Sequence, residues 1–385
     1  MRRLFLVAAL PLLVAHTVMA DKVAVGTCMP ELTSFTTIRD AVSSVPPGST
    51  ILVCPGVYPE QVTISQPLTL QGIADSNQDQ VVITVPSGGL AATVTSISGQ
   101  AVAAQVLVQN ANPVNITHIA VDGTGGDQAC GTSGTWLAGI FYSSRSSGTV
   151  NQVKANGQMD EGCGVGIWAE NAGGSNQHVT IQSSSVHDVD GTGIFVGSGP
   201  TPALTAIVKD NFVSAPGALG VVLSNVQGEV TENNVSDALA GIFDLAARVH
   251  VSSNTVTSTG FGILLLAGGT VQSNDIANSG NGIVLAAAGG NVQSNRITFS
   301  TVAAIEFTCQ AATVAHNTIN DAPIGLNDVP LSFNGSNTFF NTGTMRAAGC
   351  AAAAALSPLK AAAQLATPSS FSEWRTPANP LGLRP

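Results

Sequence analysis

Charge is scarce in this sequence: only 9% of its 385 residues are Asp, Glu, Lys or Arg, and 13 basic residues stand against 23 acidic ones. A chain so poor in positive charge is a weak partner for nucleic acid or an anionic membrane. Aromatic residues make up 5%, with two Tyr and three Trp. Beyond the first twenty residues no apolar run reaches about 18, so no transmembrane span is expected in the mature chain. The six cysteines never fall in a CxxC pair and no tract is rich in His or Met, so no metal site is expected.

What is present begins with an export signal. Arg2 and Arg3, the apolar stretch Leu4 to Ala15 and the small-residue site Val18-Met19-Ala20 predict a leader over 1–20. Its removal leaves 11 basic residues against 23 acidic ones, a net charge of −12. The mature protein is expected to be secreted or periplasmic and monomeric, with disulfides favoured by that compartment. Hydrophobic residues reach 44% and glycine 41 copies, so the surface must be dressed with Ser, Thr, Asn and Gln.

From Val208 the sequence repeats: VKDNFV, VTENNV, VSSNTV, VQSNDI, VQSNRI, VAHNTI. The fourth place is Asn211, Asn233, Asn254, Asn274, Asn295 and Asn317, at steps of 20 to 22 residues. A fixed Asn between two apolar positions at this period is a solenoid signature. Between these segments run Gly241-Ile242, Gly262-Ile263 and Gly282-Ile283, and further back Gly193-Ile194, Gly166-Ile167 and Gly139-Ile140. Stacked parallel strands about 4.8 Å apart would place Asn on Asn as a hydrogen-bonded ladder. Ser184 and Asn151 are expected to continue it backward. The turns over 122–138, 154–165, 170–178 and 197–205 are longer than their later counterparts, and long loops on a rigid scaffold are where function gathers.

The ends of a solenoid need caps. Phe35, Ile38, Ala41, Val42 and Val45 lie at helical spacing, with Thr36 or Thr37 as N-cap and Pro46-Pro47-Gly48 as the stop, predicting an amphipathic cap helix over 35–45. The expected solenoid occupies 21–345, followed by an Ala- and Pro-rich cap and tail over 346–385. In this register the cysteines pair locally as Cys28 with Cys54, Cys130 with Cys163, and Cys309 with Cys350, out of fifteen formal connectivities.

The helix followed by Gly48-Ser49-Thr50-Ile51-Leu52-Val53-Cys54-Pro55-Gly56-Val57-Tyr58-Pro59-Glu60, with the later Asn and Gly-Ile steps, resembles the pectin-lyase-like superfamily over roughly residues 30 to 345. The resemblance implies an all-β, single-stranded right-handed parallel β-helix of about ten coils. That superfamily includes pectate lyases, polygalacturonases, pectin methylesterases, alginate epimerases and periplasmic copper-site accessory proteins. Gly56 to Glu60 is similar to the start of a pectin methylesterase, but that enzyme's later Gln, Asp and Arg motifs are missing, as are the polygalacturonase motifs. His187-Asp188 is similar to the His-Asp pair of alginate epimerases.

By the same resemblance the Gly-Ile strands form the first sheet, whose outer face holds the groove in the polysaccharide enzymes. With each Ile inward, the next residue points out, giving a row that includes Phe141, Trp168, Phe195 and Phe243 and turns polar only at Glu306. Two readings compete: platforms for sugar rings, or an apolar seam covered by loops, since large exposed apolar patches are unusual. The catalytic candidates are Arg145, Lys154, Asp160, Glu161, His187 and Asp188, with Glu170 and Asp190 beside them. Paired carboxylates could hold calcium or divide acid and base roles, yet each residue also reads as an ordinary solvated loop or turn group. No cofactor is otherwise evident, and calcium is expected only of a lyase. The row and the missing catalytic signature favour a non-enzymatic protein that binds a polysaccharide or cell-envelope partner. A lyase, epimerase or hydrolase of acidic glycans comes second, and a periplasmic metal-site accessory protein last.

Overall fold

The computed structural model describes residues 20–73, 81–172, 176–199, 204–215, 219–245, 248–266, 268–286, 289–307, 312–329 and 335–347. Residues 1–19 of the leader, 348–385 of the Ala- and Pro-rich tail, and the expected Cys309–Cys350 pair lie outside the described residues. The chain winds as a parallel β-solenoid. One face is a 13-stranded sheet, and the strands of the other two faces join into a 23-stranded one. They join because two eleven-residue strands, Thr255–Leu265 and Asp275–Leu285, run unbroken around a corner.

Alternation decides which residues are inside. In the 13-stranded sheet one inward residue per coil stacks in register, through Ile51, Leu70, Ile116, Val150, Ile181 and Val208 to Val314, all fully buried. The Gly-Ile strands supply a second inward column, including Ile140, Ile167, Ile194, Ile242, Ile263 and Ile283. These columns form one continuous aliphatic core.

The turn between the first core column and the next strand is built by two residues. The one before each ladder Asn is left-handed, at Asp210, Glu232, Ser253, Ser273, Ser294 and His316, with φ of 55° to 59°. That conformation is costly for a residue with a Cβ, so the ladder must hold it. From Asn233 to Asn317, each Asn Oδ1 accepts both the main-chain N–H and the side-chain N–H of the Asn one coil earlier. Asn337, absent from the expected set, adds one further rung below Asn317. Ser184 takes the ladder place one coil earlier, its N–H donating to Asn211 Oδ1. Asn151 does not. The ladder residue lies three places after the inward one, and three places after Val150 is Val153, whose N–H donates to Ser184 Oγ. Asn151 instead lies on the outer face, between Thr117 and Gln182.

The glycines of the Gly-Ile steps have a steric cause. At Gly139, Gly166, Gly193, Gly220, Gly241, Gly262 and Gly282 a Cβ would come within 2.4–2.8 Å of the carbonyl oxygen of the residue one coil on. These positions form the corner where the chain turns onto the first sheet, and the ladder pairing skips each of them. The solenoid's start is capped by the helix Ile38–Ser44. Thr37 Oγ1 accepts the Asp40 N–H, and the carboxylate of Glu60 accepts the N–H groups of Ile38 and Arg39. Ile38, Ala41 and Val42 face the core.

Candidate functional site

The outward row of the first sheet is a second apolar core. Phe141, Trp168, Phe195 and Phe243 are only 0–3% exposed. The rings also pack on each other: Trp168 lies 4.8 Å from Phe141, 5.6 Å from Phe195 and 5.8 Å from Trp136, centroid to centroid. Tilted and edge-on pairs of this kind add about 1 kcal/mol each beyond burial. Sugar rings therefore reach these faces only if their cover moves.

Trp136 belongs to a wall that the sequence pattern did not reveal. In three successive coils the strand begins before the corner position, Gln105, Gly139 or Gly166, so that Ala101–Ala104 pairs with Thr135–Ala138, and Leu137-Ala138 with Gly164-Val165. Val102, Ala104, Trp136, Ala138 and Val165 face the aromatic row. Ala103 and Leu137 face outward under Leu90. At the margin of the row opposite the wall, two residues past Trp168 in the same strand, sits Glu170, 2% exposed. Its Oε2 accepts the Trp168 indole N–H at 3.1 Å and its Oε1 the Ile97 N–H at 2.9 Å. Burial outweighs both bonds and pushes its carboxyl up to about 8, so it is neutral at pH 7.

A second group of carboxyls organises the loop before this strand. Asp190 accepts three main-chain N–H groups, from Asp160, Gly162 and Gly164, at 2.8–3.0 Å. Asp160 Oδ1 in turn accepts the N–H groups of Gln128 and Cys130, and Glu161 accepts that of Gly131. The Cys130–Cys163 disulfide closes the same pair of loops, and Cys28–Cys54 forms in the first coils. Asp160 is 1% exposed, and among the described residues no N–H or O–H reaches its Oδ2. Asp160 also meets the carboxyl of Asp127, a contact that is a hydrogen bond only when one of the two holds a proton. Burial and this bond push Asp160 up to about 7, while the same bond holds Asp127 low. The Asp160 shift is upward, so its stabilising contribution is complete below the ordinary aspartate value and is lost as pH rises through about 7. The melting temperature of Asp160→Asn is therefore expected to fall less than that of wild type between pH 6 and pH 8. Equal pH profiles in differential scanning fluorimetry would refute the shared proton.

The architecture agrees with known folds. Residues 174–344 match the family described as right handed beta helix region. The structure is similar to the lacto-N-biosidase from Eubacterium ramulus, at 10% identity and a TM-score of 0.57, over 84% of this chain and 68% of that one. It is also similar to the hyperthermoactive exopolygalacturonase from Thermotoga maritima, at 12% identity and a TM-score of 0.51, over 81% of this chain and 86% of the other. The fold is a right-handed parallel β-helix of the pectin-lyase-like type. No curated protein matches the sequence.

The β-helix does not gather the catalytic candidates at one place. Arg145, exposed and left-handed, lies in the turn leaving the first sheet. Lys154 and His187 lie on outer positions of the third face, in the strands Lys154–Asn156 and Ser185–His187. His187 Nδ1 lies 2.7 Å from the Asp188 carboxylate, and Asp188 is a left-handed turn residue 70% exposed. Asp160 and Glu161 are adjacent, but Glu161 is itself left-handed, and the two carboxyls hold different main-chain groups. Among the described residues no cluster of three or more His, Cys, Asp or Glu is placed to hold a metal ion, and no helix is long and apolar enough to cross a membrane. The residues that sequence reasoning missed are Trp136 and Ile97. The alternation Trp136-Leu137-Ala138 just before Gly139 is a signal for the first.

Proposed function

We propose that this β-helix is an exported glycan-binding protein whose site is the aromatic row of the irregular coils, at Trp136, Phe141, Trp168 and Phe195, with Glu170 as its polar anchor. The observation that carries this reading is a neutral, buried carboxyl set among stacked rings on the face where a solenoid has only apolar packing to gain. Rings for stacking and one polar group for orientation are the usual constituents of a sugar site. Two structural neighbours that cleave glycans by name support the ligand class, and the two disulfides suit an exported protein. Binding of the full-length mature protein to a glycan array, with no new reducing or unsaturated ends formed from the bound glycans, is the expected result. Trp168→Ala should weaken that binding by about tenfold or more, checked by isothermal titration, and unchanged affinity would refute the site.

Glu170 also favours a second reading. A carboxylic acid kept protonated at neutral pH is what a glycosidase uses to protonate a leaving group, opposite a second carboxylate. Product release that disappears in Glu170→Gln would move the protein from binder to hydrolase.

A further inference from the structure

The cover of the aromatic row is a specific element. Among the described strands every pairing is parallel but one: Val94–Thr95 runs antiparallel to Ala101-Val102. The tip of this hairpin is closed by Ser96 N–H donating to Gln100 O, Gly99 N–H to Ser96 O, and Gln100 N–H to Ser96 Oγ. Its second strand is the first strand of the wall, so the hairpin rises from the wall side of the row. Yet its tip residue Ile97 donates its N–H to Glu170, which lies beyond the corner Gly166 and past Trp168, at the opposite margin of the row. The hairpin therefore reaches across the row from one margin to the other, and Val94 packs against the apolar cluster that holds the rings. One main-chain hydrogen bond joins the tip to its landing point.

The landing point also selects what can replace it. Burial, the Ile97 N–H and the Trp168 N–H account for the state of Glu170, and no charged side chain contributes. A uronate carboxylate brought here would face a buried carboxyl with no cation among the described residues to offset it. A sugar carrying only hydroxyl or acetamido groups brings the donor that Glu170 already accepts.

We propose that the Val94–Val102 hairpin is a roof latched to Glu170 through the Ile97 amide, and that its opening uncovers a subsite for an uncharged sugar whose O–H or N–H takes the place of that amide. The ligand half rests on the glycan-binding reading above, whereas the roof stands on its own. The latch carries a pH dependence. With the roof closed the carboxyl titrates near 8. In water it returns toward the ordinary glutamate value, so protonation favours closure. Closure is strongest in acid and weakens, by up to about tenfold per pH unit, as pH rises through about 8.

The roof is tested by acrylamide quenching of tryptophan fluorescence in the full chain carrying Trp374→Phe, which leaves Trp136 and Trp168 as the only emitters. The Stern–Volmer constant is expected to rise at least about twofold from pH 6 to pH 9, and to stay flat in Glu170→Gln, whose amide cannot ionise. An unchanged constant, or the same rise in Glu170→Gln, overturns the roof. Should Glu170→Gln fail to fold, hydrogen exchange in the otherwise wild-type chain, corrected for intrinsic rates, serves instead. Protection of the peptide holding Ile97 at pH 6 and its loss at pH 9 support the latch, and equal protection overturns it. The ligand class is tested at pH 8 with arrays of neutral oligosaccharides and of oligogalacturonates. Binding confined to the neutral set supports the proposal. Binding of the uronates alone overturns the class while leaving glycan binding intact. Binding of neither overturns both, whatever the quenching result.

Discussion

Asn254→Ala is expected to destabilise the protein by about 3–5 kcal/mol, read as a fall in the urea midpoint at unchanged slope. The figure follows from what the amide does. Asn254 Oδ1 accepts the main-chain and side-chain N–H groups of Asn233, both at 2.9 Å. Its Nδ2 donates to Val230 O, Ser252 O and Asn274 Oδ1. Alanine leaves a buried main-chain donor on one coil and weakens the turn of another, and each orphaned buried group costs about 1–3 kcal/mol. The left-handed Ser253 also loses the neighbour that fixes it. A loss under 1 kcal/mol would mean that stacking alone holds the turns.

Gly262→Ala is expected to cost about 3 kcal/mol, for a reason unrelated to backbone freedom. Its Cβ would lie 2.4 Å from Gly282 O and 2.6 Å from the Ile276 side chain. The first contact is with backbone one coil on, so relief requires the two coils to part, which strains the parallel pairing on both sides. The column of corner glycines begins after Gln105, at the place matching Gly139, and is interrupted at Ala304, between Gly282 and Gly325. Ala304→Gly, at the one place in this stretch where a Cβ is already accommodated, should change stability by less than about 1 kcal/mol. Equal effects at 262 and 304, measured by urea denaturation, would contradict the steric account.

Both effects concern residues whose role repeats in every coil, and that is why the fold was legible in the sequence. A side chain that stacks on its own kind recurs at the coil period, so Asn211 to Asn317 and the Gly-Ile steps announce themselves. Legibility failed where the period did. Asn151 looked like a ladder member by type, but the inward Val150 sets the register and assigns the place to Val153. The aromatic row was readable as a row from Phe141, Trp168 and Phe195. Its cover was not, because the Val94–Val102 hairpin is a single excursion with no counterpart among the described strands of other coils, and its landing point lies 73 residues along the chain. The acid pair was half-readable. Asp160 was visible beside Glu161, but adjacent residues on a loop need not face one another. Its actual partner, Asp127, comes from the preceding coil, brought there by loops that Asp190 and the disulfide hold.

The regular and irregular halves of the β-helix thus have different expected roles, although one apolar seam runs through both. Phe243 and Trp168 are equally buried in it, but only Trp168 lies among the four rings beside Glu170. The most direct test compares glycan affinity by isothermal titration in Trp168→Phe and Phe243→Leu, two volume-conservative variants, after matched folding by circular dichroism. The account predicts a loss of affinity in Trp168→Phe and wild-type affinity in Phe243→Leu. Equal losses in the two, or a loss only in Phe243→Leu, would contradict it.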